Sequence, residues 1–265
     1  MPDGPASPLA VTCPLCAGVS SRAFRVRERD YLRCAHCRLL WVPEAQHPSQ
    51  EQAAARYRTH RNESLDKGYR RFLEPAIAAA LRYLPPEGTV LDFGCGPSPA
   101  ATRILAERGV RAIPYDPVFP HEPLPAGPVG AVLAIEVFEH FREPGRDVAL
   151  AASLVAPGGV LVVQTLFVPA AENLASWWYL RDPTHLAFYS ARTFEVLGSL
   201  HGLEPLESDG HRLVVMRRPE EGGDATGGLA GTLHPEPPAV RPRAGGPDEP
   251  ARPSDPKRRS RVPSP

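Results

Sequence analysis

The sequence predicts an α/β fold built on a parallel sheet, and three observations lead there. Between residues about 52 and 218, short apolar strand-like runs alternate with stretches of helical periodicity, the pattern of strands joined by covering helices. The run "VGAVLAI" (129–135) is apolar throughout, as a strand buried on both faces must be. After residue 190 the rhythm changes to helix, strand, strand, which predicts an antiparallel strand at the end of the sheet.

Taken in order, "GYRRFLEPAIAAALRYL" (68–84) has apolar residues at helical spacing, with Pro75 as an expected kink. "GTVLDFGCGP" (88–97) is a short strand entering a glycine turn, and "PAATRILAERG" (99–109) a helix closed by Gly109. "VRAIPYDP" (110–117) is a second strand; the run 129–135 is the third and leads into a polar turn. "RDVALAASLVAPGG" (146–159) is a helix stopped by a proline and two glycines, followed by the strand "VLVVQTLFV" (160–168). "SARTFEVLGSLHG" (190–202) is a helix with Ser190 as its N-cap. "LEPLESDG" and "HRLVVMRR" close the domain as a strand pair.

The 265 residues suffice for one well-buried domain and an appendage. Thirty basic and thirty acidic residues cancel, so net charge recruits neither nucleic acid nor membrane. No apolar run approaches the length of a bilayer span, and the first residues lack the basic and apolar regions of a signal peptide. A cytoplasmic protein is the expectation, with its cysteines as metal ligands or inert thiols. From Pro219 onward the chain is Gly, Pro, Ala and charge. It has too little apolar surface to offset its ordering entropy, so 219–265 is expected to be a disordered tail.

Four of the five cysteines lie within residues 11–45 as "CPLC" (13–16) and "CAHC" (34–37). Two C-x2-C pairs separated by seventeen residues fit a structural zinc site in which Cys13, Cys16, Cys34 and Cys37 close a tetrahedron. A redox role would need a thioredoxin-like context that is missing. "FRVRERDYLR" between the pairs can form a hairpin. Its Arg25, Arg27, Arg29 and Arg33, with Arg22 and Arg38 nearby, keep RNA in view as a partner of this zinc-ribbon-like element.

The glycine turn is the second chemical signal. Gly94 and Gly96 sit where the first strand passes into a helix, which lets backbone approach a ligand closely. Asp116, ending the next strand about 20 residues on, suits a ribose hydroxyl. A dinucleotide site would want glycine at position 99, which is Pro99. Asp92 places a carboxylate in the turn, which repels phosphate but suits a ligand carrying an ammonium and a sulfonium. S-adenosylmethionine is therefore favoured over a nicotinamide cofactor.

Glu136, Glu139 and His140 follow the third strand, on the edge where open α/β sheets bind ligands. Glu136 is a candidate for the donor pocket. Glu139 and His140 could equally be a helix-start cap and a surface pair. "WWYLRDPTHLAFYS" (177–190) combines Trp177, Trp178 and Tyr189 with Arg181, Asp182 and His185. It reads as a wall over a methyl acceptor. His185 would be general base, oriented by Asp182 and flanked by Tyr189, with Arg181 holding an anionic acceptor. The alternative is an aromatic core corner with capping polar groups.

"VLDFGCGPSPA", "YDP", "AIEVFEHF", "APGGVLVVQT" and "WWYLRDPTHLAFYSARTF" resemble, in that order, class I SAM-dependent methyltransferases. More narrowly, the chain resembles a bacterial subgroup with an N-terminal four-cysteine element and a "DPTH" segment. The resemblance covers residues 12–218. It implies a Rossmann-like sheet of seven strands over residues 52–218, with Asp92, Gly94 and Gly96 at the methionine part of the donor and Asp116 at its ribose. In "VFPHEPLPAGP" (118–128) the family's third strand is not legible. The expected reaction is methyl transfer to a small molecule or biosynthetic intermediate. The alternatives are an RNA acceptor, or a non-catalytic binding protein.

Overall fold

A computed structural model describes residues 11–58, 66–170, 174 and 176–220. The expected tail lies, beyond residue 220, outside the described residues. Residues through Gly222 form one unit, containing two sheets.

The larger sheet holds β5 (Val90–Phe93), β6 (Ala112–Tyr115), β7 (Val129–Ile135), β8 (Val155–Gln164), β10 (Glu204–Ser208) and β11 (Leu213–Arg217), in the order β10-β11-β8-β7-β5-β6. Strands β6, β5, β7 and β8 are parallel, while β11 and β10 are antiparallel additions at one end. Six strands form, not the seven that the family resemblance implied. The segment between β6 and β7 carries Pro117, Pro120, Pro123, Pro125 and Pro128. Prolines donate no ladder hydrogen bond, and this stretch contributes no strand.

Helices α2 (Lys67–Tyr83), α3 (Ala100–Glu107), α4 (Pro144–Ser153) and α5 (Ala191–His201) pack on this sheet or its flanks. Helix α2 runs through Pro75 and buries Leu73, Ala76, Ile77 and Ala80, spaced three and four apart on one face. Each large aliphatic so buried contributes about 1.5–3 kcal/mol. The small alanines bring the helix close to β7 and β8. Helix α5 starts on Ser190 in a capping box with Thr193 and ends on Gly202 in the left-handed conformation. Strand β8 begins at Val155, earlier than the sequence reading placed it, and carries "PGG" within it as a register shift against β7.

The smaller sheet is built from β1 (Val11–Thr12), β2 (Val19–Val26), β3 (Arg29–Cys34) and β4 (Leu40–Trp41), antiparallel throughout. Its fifth strand is β9 (Ala187–Phe188), which comes from the aromatic stretch and pairs with β4. The cysteine element is thus stitched to the rest of the chain through β9. One apolar cluster runs from Cys13, Leu32, Leu39 and Trp41 to Leu91, Phe138, Val163 and Phe194, so both sheets share a core.

Candidate active site and metal centre

The four cysteine sulfurs converge. Cys13 and Cys37 Sγ lie 3.7 Å apart, Cys16 and Cys34 Sγ 3.5 Å, and all four fall within 4.8 Å of one another. A tetrahedron with metal–sulfur bonds of about 2.3 Å has edges of about 3.8 Å, so the spacing fits a zinc ion. The two knuckles are built alike. Ala17 and Arg38, each four residues after the first cysteine of its pair, take positive φ of 57° and 65°. Their amides donate to the carbonyls of Cys13 and Cys34. Gly18 packs closely on the cluster: a Cβ there would stand 3.0 Å from Cys34 Sγ. Burial raises the Cys16 thiol, whereas the hydrogen bond from Cys37 holds Cys13 well below the usual thiol range. His36, inside the second knuckle, is exposed; the four sulfurs form the cluster without it.

One arginine of this element is committed to the rest of the chain. Arg29 is half-buried and donates to three carbonyls of the aromatic stretch: Asp182 at 3.0 Å, Pro183 at 3.1 Å and His185 at 2.7 Å. Tyr31 adds a hydrogen bond to the Leu180 carbonyl. Arg22 and Arg25 lie against Asp30.

At the carboxyl end of the larger sheet, β5 delivers Gly94 and Gly96 with φ of 77° and 68°, a region that L side chains rarely adopt. A Cβ on Gly94 would meet Val137 at 2.6 Å, so the glycine turn abuts the turn after β7. The Gly94 and Cys95 amides donate to the Tyr115 carbonyl. Asp116 accepts from the Gly96, Val118 and Phe119 amides at 2.8–3.0 Å. One carboxylate therefore shapes both the glycine turn and its own loop. Oδ2, with one such bond, keeps a lone pair for a hydroxyl. His121 reaches back to the Gly96 carbonyl at 2.7 Å.

Asp92 is buried at 4 % exposure and accepts from the Thr102 amide and hydroxyl. It caps α3, whose own N-cap position is Pro99 with no side-chain acceptor. Burial pushes its carboxyl up to about 6. Tyr69 on α2 and Tyr57 on α1 (Gln50–Arg58) flank this end of the sheet. Burial raises each to about 12, with Asp92 and Glu136 acting on Tyr69 and Asp182, Asp116 and Glu139 on Tyr57. Nothing in their local sequence marks these tyrosines; helix packing places them.

The turn after β7 carries the densest polar cluster. Glu136 has φ 53°, and its amide is tied to the Gln164 carbonyl. Strained backbone of this kind persists only where surroundings enforce it. The Tyr179 hydroxyl lies within hydrogen-bonding distance of both Glu136 Oε2, at 3.1 Å, and Glu139 Oε1. The Thr165 hydroxyl donates to Glu139 Oε2 at 2.8 Å. Burial, then the neighbouring Glu139 carboxylate, pushes Glu136 well above the ordinary carboxylate range. Glu139 is fully buried, which removes the surface-pair reading for that residue.

His140 and His185 stand edge to face with ring centroids 4.8 Å apart. The Nδ1 of His140 bonds the Thr184 carbonyl at 3.0 Å, and that of His185 the Tyr179 carbonyl at 2.9 Å. Asp182 was expected to orient His185. Its Oδ1 accepts from the Thr184 amide and hydroxyl, and its Oδ2 from Arg56; the Tyr179 carbonyl also holds the His185 ring. Tyr189, expected as part of a pocket wall, is fully buried between Phe138 and Phe194 with its hydroxyl on the Phe138 carbonyl. It is a core residue, because β9 immediately before it turns the chain inward. Trp177 is half-buried against Tyr179 and Phe188. Trp178 is 50 % exposed, and Arg181 is exposed. The aromatic stretch is therefore partly core and partly site.

A family profile described as a methyltransferase domain matches residues 57–208, more than half the chain. The chain belongs to this methyltransferase family. Among curated relatives, the ubiquinone biosynthesis O-methyltransferase of Caulobacter sp. (strain K31) is 44 % identical over 69 residues, 25 % of this chain and 27 % of that protein. The match thus spans about a quarter of the relative's length. Among solved structures, a chain from the complex between the Haloferax volcanii Trm112 methyltransferase activator and a methyltransferase superimposes with TM-score 0.52. It is 17 % identical, over 65 % of this methyltransferase-family chain and 100 % of that one. The 1,6-didemethyltoxoflavin-N1-methyltransferase of Burkholderia thailandensis matches at TM-score 0.48 and 15 % identity, over 76 % and 100 % of the two chains. Among the described residues, no helix is long and apolar enough to cross a membrane.

Proposed function

We propose that this methyltransferase-family protein transfers a methyl group from S-adenosylmethionine to a small-molecule or biosynthetic-intermediate acceptor, with a structural zinc ion in its cysteine cluster. The observation that carries the reading is the glycine turn at the end of β5, held open by the Asp116 carboxylate. It offers half-buried backbone and an acceptor for ribose hydroxyls, with the carboxyl groups of Asp92 and Glu136 near for a cationic ligand. Asp92 acts from behind the turn, because Thr102 occupies its Oδ2. Gly94 and Gly96 bring backbone to the methionine part, and nothing stands within 4 Å of where a Gly96 Cβ would be. His185, packed against His140 of the turn after β7, is assigned to the acceptor side. Transfer is an in-line displacement, so the chain supplies alignment and a shielded cleft. A reducing compartment, the cytoplasm, suits thiolates serving as zinc ligands. Arg29, half-buried, is spent on carbonyls within the protein and is not a contact for an RNA acceptor.

Calorimetric titration with S-adenosylhomocysteine tests the donor half. The parent protein should bind it, and Asp116→Ala should weaken binding about 10- to 100-fold, the worth of a hydrogen bond to a charged group. A folded protein that does not bind, or an Asp116→Ala variant with parental affinity, would remove the donor assignment. A labelled-methyl transfer screen over metabolite and RNA pools then identifies the acceptor class.

A further inference from the structure

A cleft of about 400 Å3 opens at the seam between the smaller sheet and the start of α4. Ligand clefts of this size are typically apolar with a few convergent polar groups. This one is walled by Trp41, Val42, Phe141 and Leu186, and His47, Glu44 and Arg142 also line it. Neither the four cysteines nor the glycine turn take part in its lining. We propose that the cleft binds a free α-amino acid with an apolar side chain, held as a zwitterion. Its carboxylate meets Arg142 and the Trp41 indole N–H, and its ammonium meets Glu44 and His47 Nδ1.

Two buried atoms on the lining residues are left without a partner. Trp41 is 9 % exposed, and its Nε1 has no hydrogen-bond partner among the described residues. His47 Nε2 donates to the Val42 carbonyl at 2.9 Å, so Nδ1 carries the lone pair of the neutral ring. That Nδ1 is buried and unpartnered as well. Burial, the largest influence on His47, lowers its pKa and keeps the ring neutral. An indole N–H can only donate, and this Nδ1 can only accept. Buried polar groups are costly to leave unpaired, so the two atoms together ask for one acceptor and one donor from a ligand.

The rim supplies a charge of each sign. Glu143 and Arg146 pair with each other at 2.9 Å, which leaves Glu44 and Arg142, both exposed. Arg142 spends Nη1 on the Pro48 carbonyl at 2.7 Å and keeps its other nitrogens for a carboxylate. Both charges act on His47, Arg142 lowering its pKa and Glu44 raising it, so both lie near the unpartnered nitrogen. A simple anion in the cleft would meet Glu44 uncompensated, and a simple amine would meet Arg142. A compact zwitterion satisfies both, and the aromatic and aliphatic walls fit an apolar side chain. Phe141 and Leu186 directly follow His140 and His185, and Phe141 packs on Phe93 at 6.3 Å, one residue before Gly94. An occupant of the cleft therefore touches the frame of the candidate active site without entering it.

The test is calorimetric titration of the full chain with L-phenylalanine, with and without saturating S-adenosylhomocysteine. Phenylacetate, which lacks the ammonium, and phenethylamine, which lacks the carboxylate, are the control probes. The parent should bind L-phenylalanine at one site in both conditions, and each control at least about tenfold more weakly. Trp41→Phe keeps the ring and removes the N–H, and Arg142→Gln removes the charge. Each should weaken L-phenylalanine about tenfold, with S-adenosylhomocysteine affinity and the thermal transition near parental. Arg142 is exposed, so its variant guards against a Trp41→Phe protein that fails to fold. No L-phenylalanine binding by the folded parent would overturn the site. Equal binding of either control, or parental affinity in folded Arg142→Gln, would overturn it as well. Displacement of L-phenylalanine by S-adenosylhomocysteine would put the amino acid in the donor site and equally sink the cleft. L-phenylalanine binding with the expected variant losses, in a protein blind to S-adenosylhomocysteine, would uphold the cleft and remove the donor reading alone.

Discussion

The cysteine cluster and the Glu139–His140–His185 cluster differ in what holds them. The first is made by two tight knuckles of identical design, each closed within five residues, and all four of its sulfurs point at one another. The second is made by tertiary contact between the turn after β7 and the segment around His185, and backbone carbonyls aim its imidazoles. The first is fixed by local turns, whereas the second exists only once the two segments have packed. The two are mechanically connected, because Arg29 of the cysteine element grips the carbonyls of Asp182, Pro183 and His185, and β9 pairs with β4.

The largest effect should come from breaking the closed cluster. Cys34→Ser removes a buried cysteine within the shared core, and loss of the proposed zinc site would belong to the class of changes costing more than about 4–5 kcal/mol. The expected outcome is loss of the single cooperative thermal transition, reproduced in the parent by a strong chelator. A variant that melts like the parent would mean that the element contributes nothing to the core it touches. Next comes the connection. Arg29→Ala strands three carbonyls and should cost about 3 kcal/mol in urea unfolding, with zinc content unchanged. Equal stability would show the two clusters to be independent.

The smallest effect concerns the glycine turn beside the second cluster. Asp92 is raised to about 6 from an ordinary 3.8, so between those values the folded state holds more protons than the unfolded chain. Donor-free stability should therefore fall as pH rises from 4 to 6 and level off above, by about 2 kcal/mol from this residue. Asp92→Asn keeps an acceptor for Thr102 and should flatten that slope. Stability–pH curves of parent and variant that run parallel would show Asp92 to be solvated.

Legibility followed the length of chain over which each feature is built. The glycine turn, the capping of α5 by Ser190 and the two cysteine knuckles are short-range constructions, and their residues could be named from spacing alone. The missing strand was foreshadowed by five prolines between Asp116 and Val129. The surroundings of Asp182 and Tyr189 were hidden for a different reason. Their partners Arg56, Thr184, Phe138 and Phe194 were invisible until the aromatic stretch was seen to enter the smaller sheet as β9. The tyrosines of α1 and α2 and the anchoring role of Arg29 had no local signal.

What the sequence determined by itself was the order of strands and helices, the four thiolates and the glycine turn, because period, spacing and backbone freedom are properties of neighbouring residues. Only the tertiary structure decided that Glu139 is buried, that His140 meets His185, and that the cysteine element is bound to the site by Arg29 and β9. Those contacts join positions up to 156 residues apart. They exist only after both sheets close on one core, which aims the two imidazoles through backbone carbonyls that no sequence pattern displays.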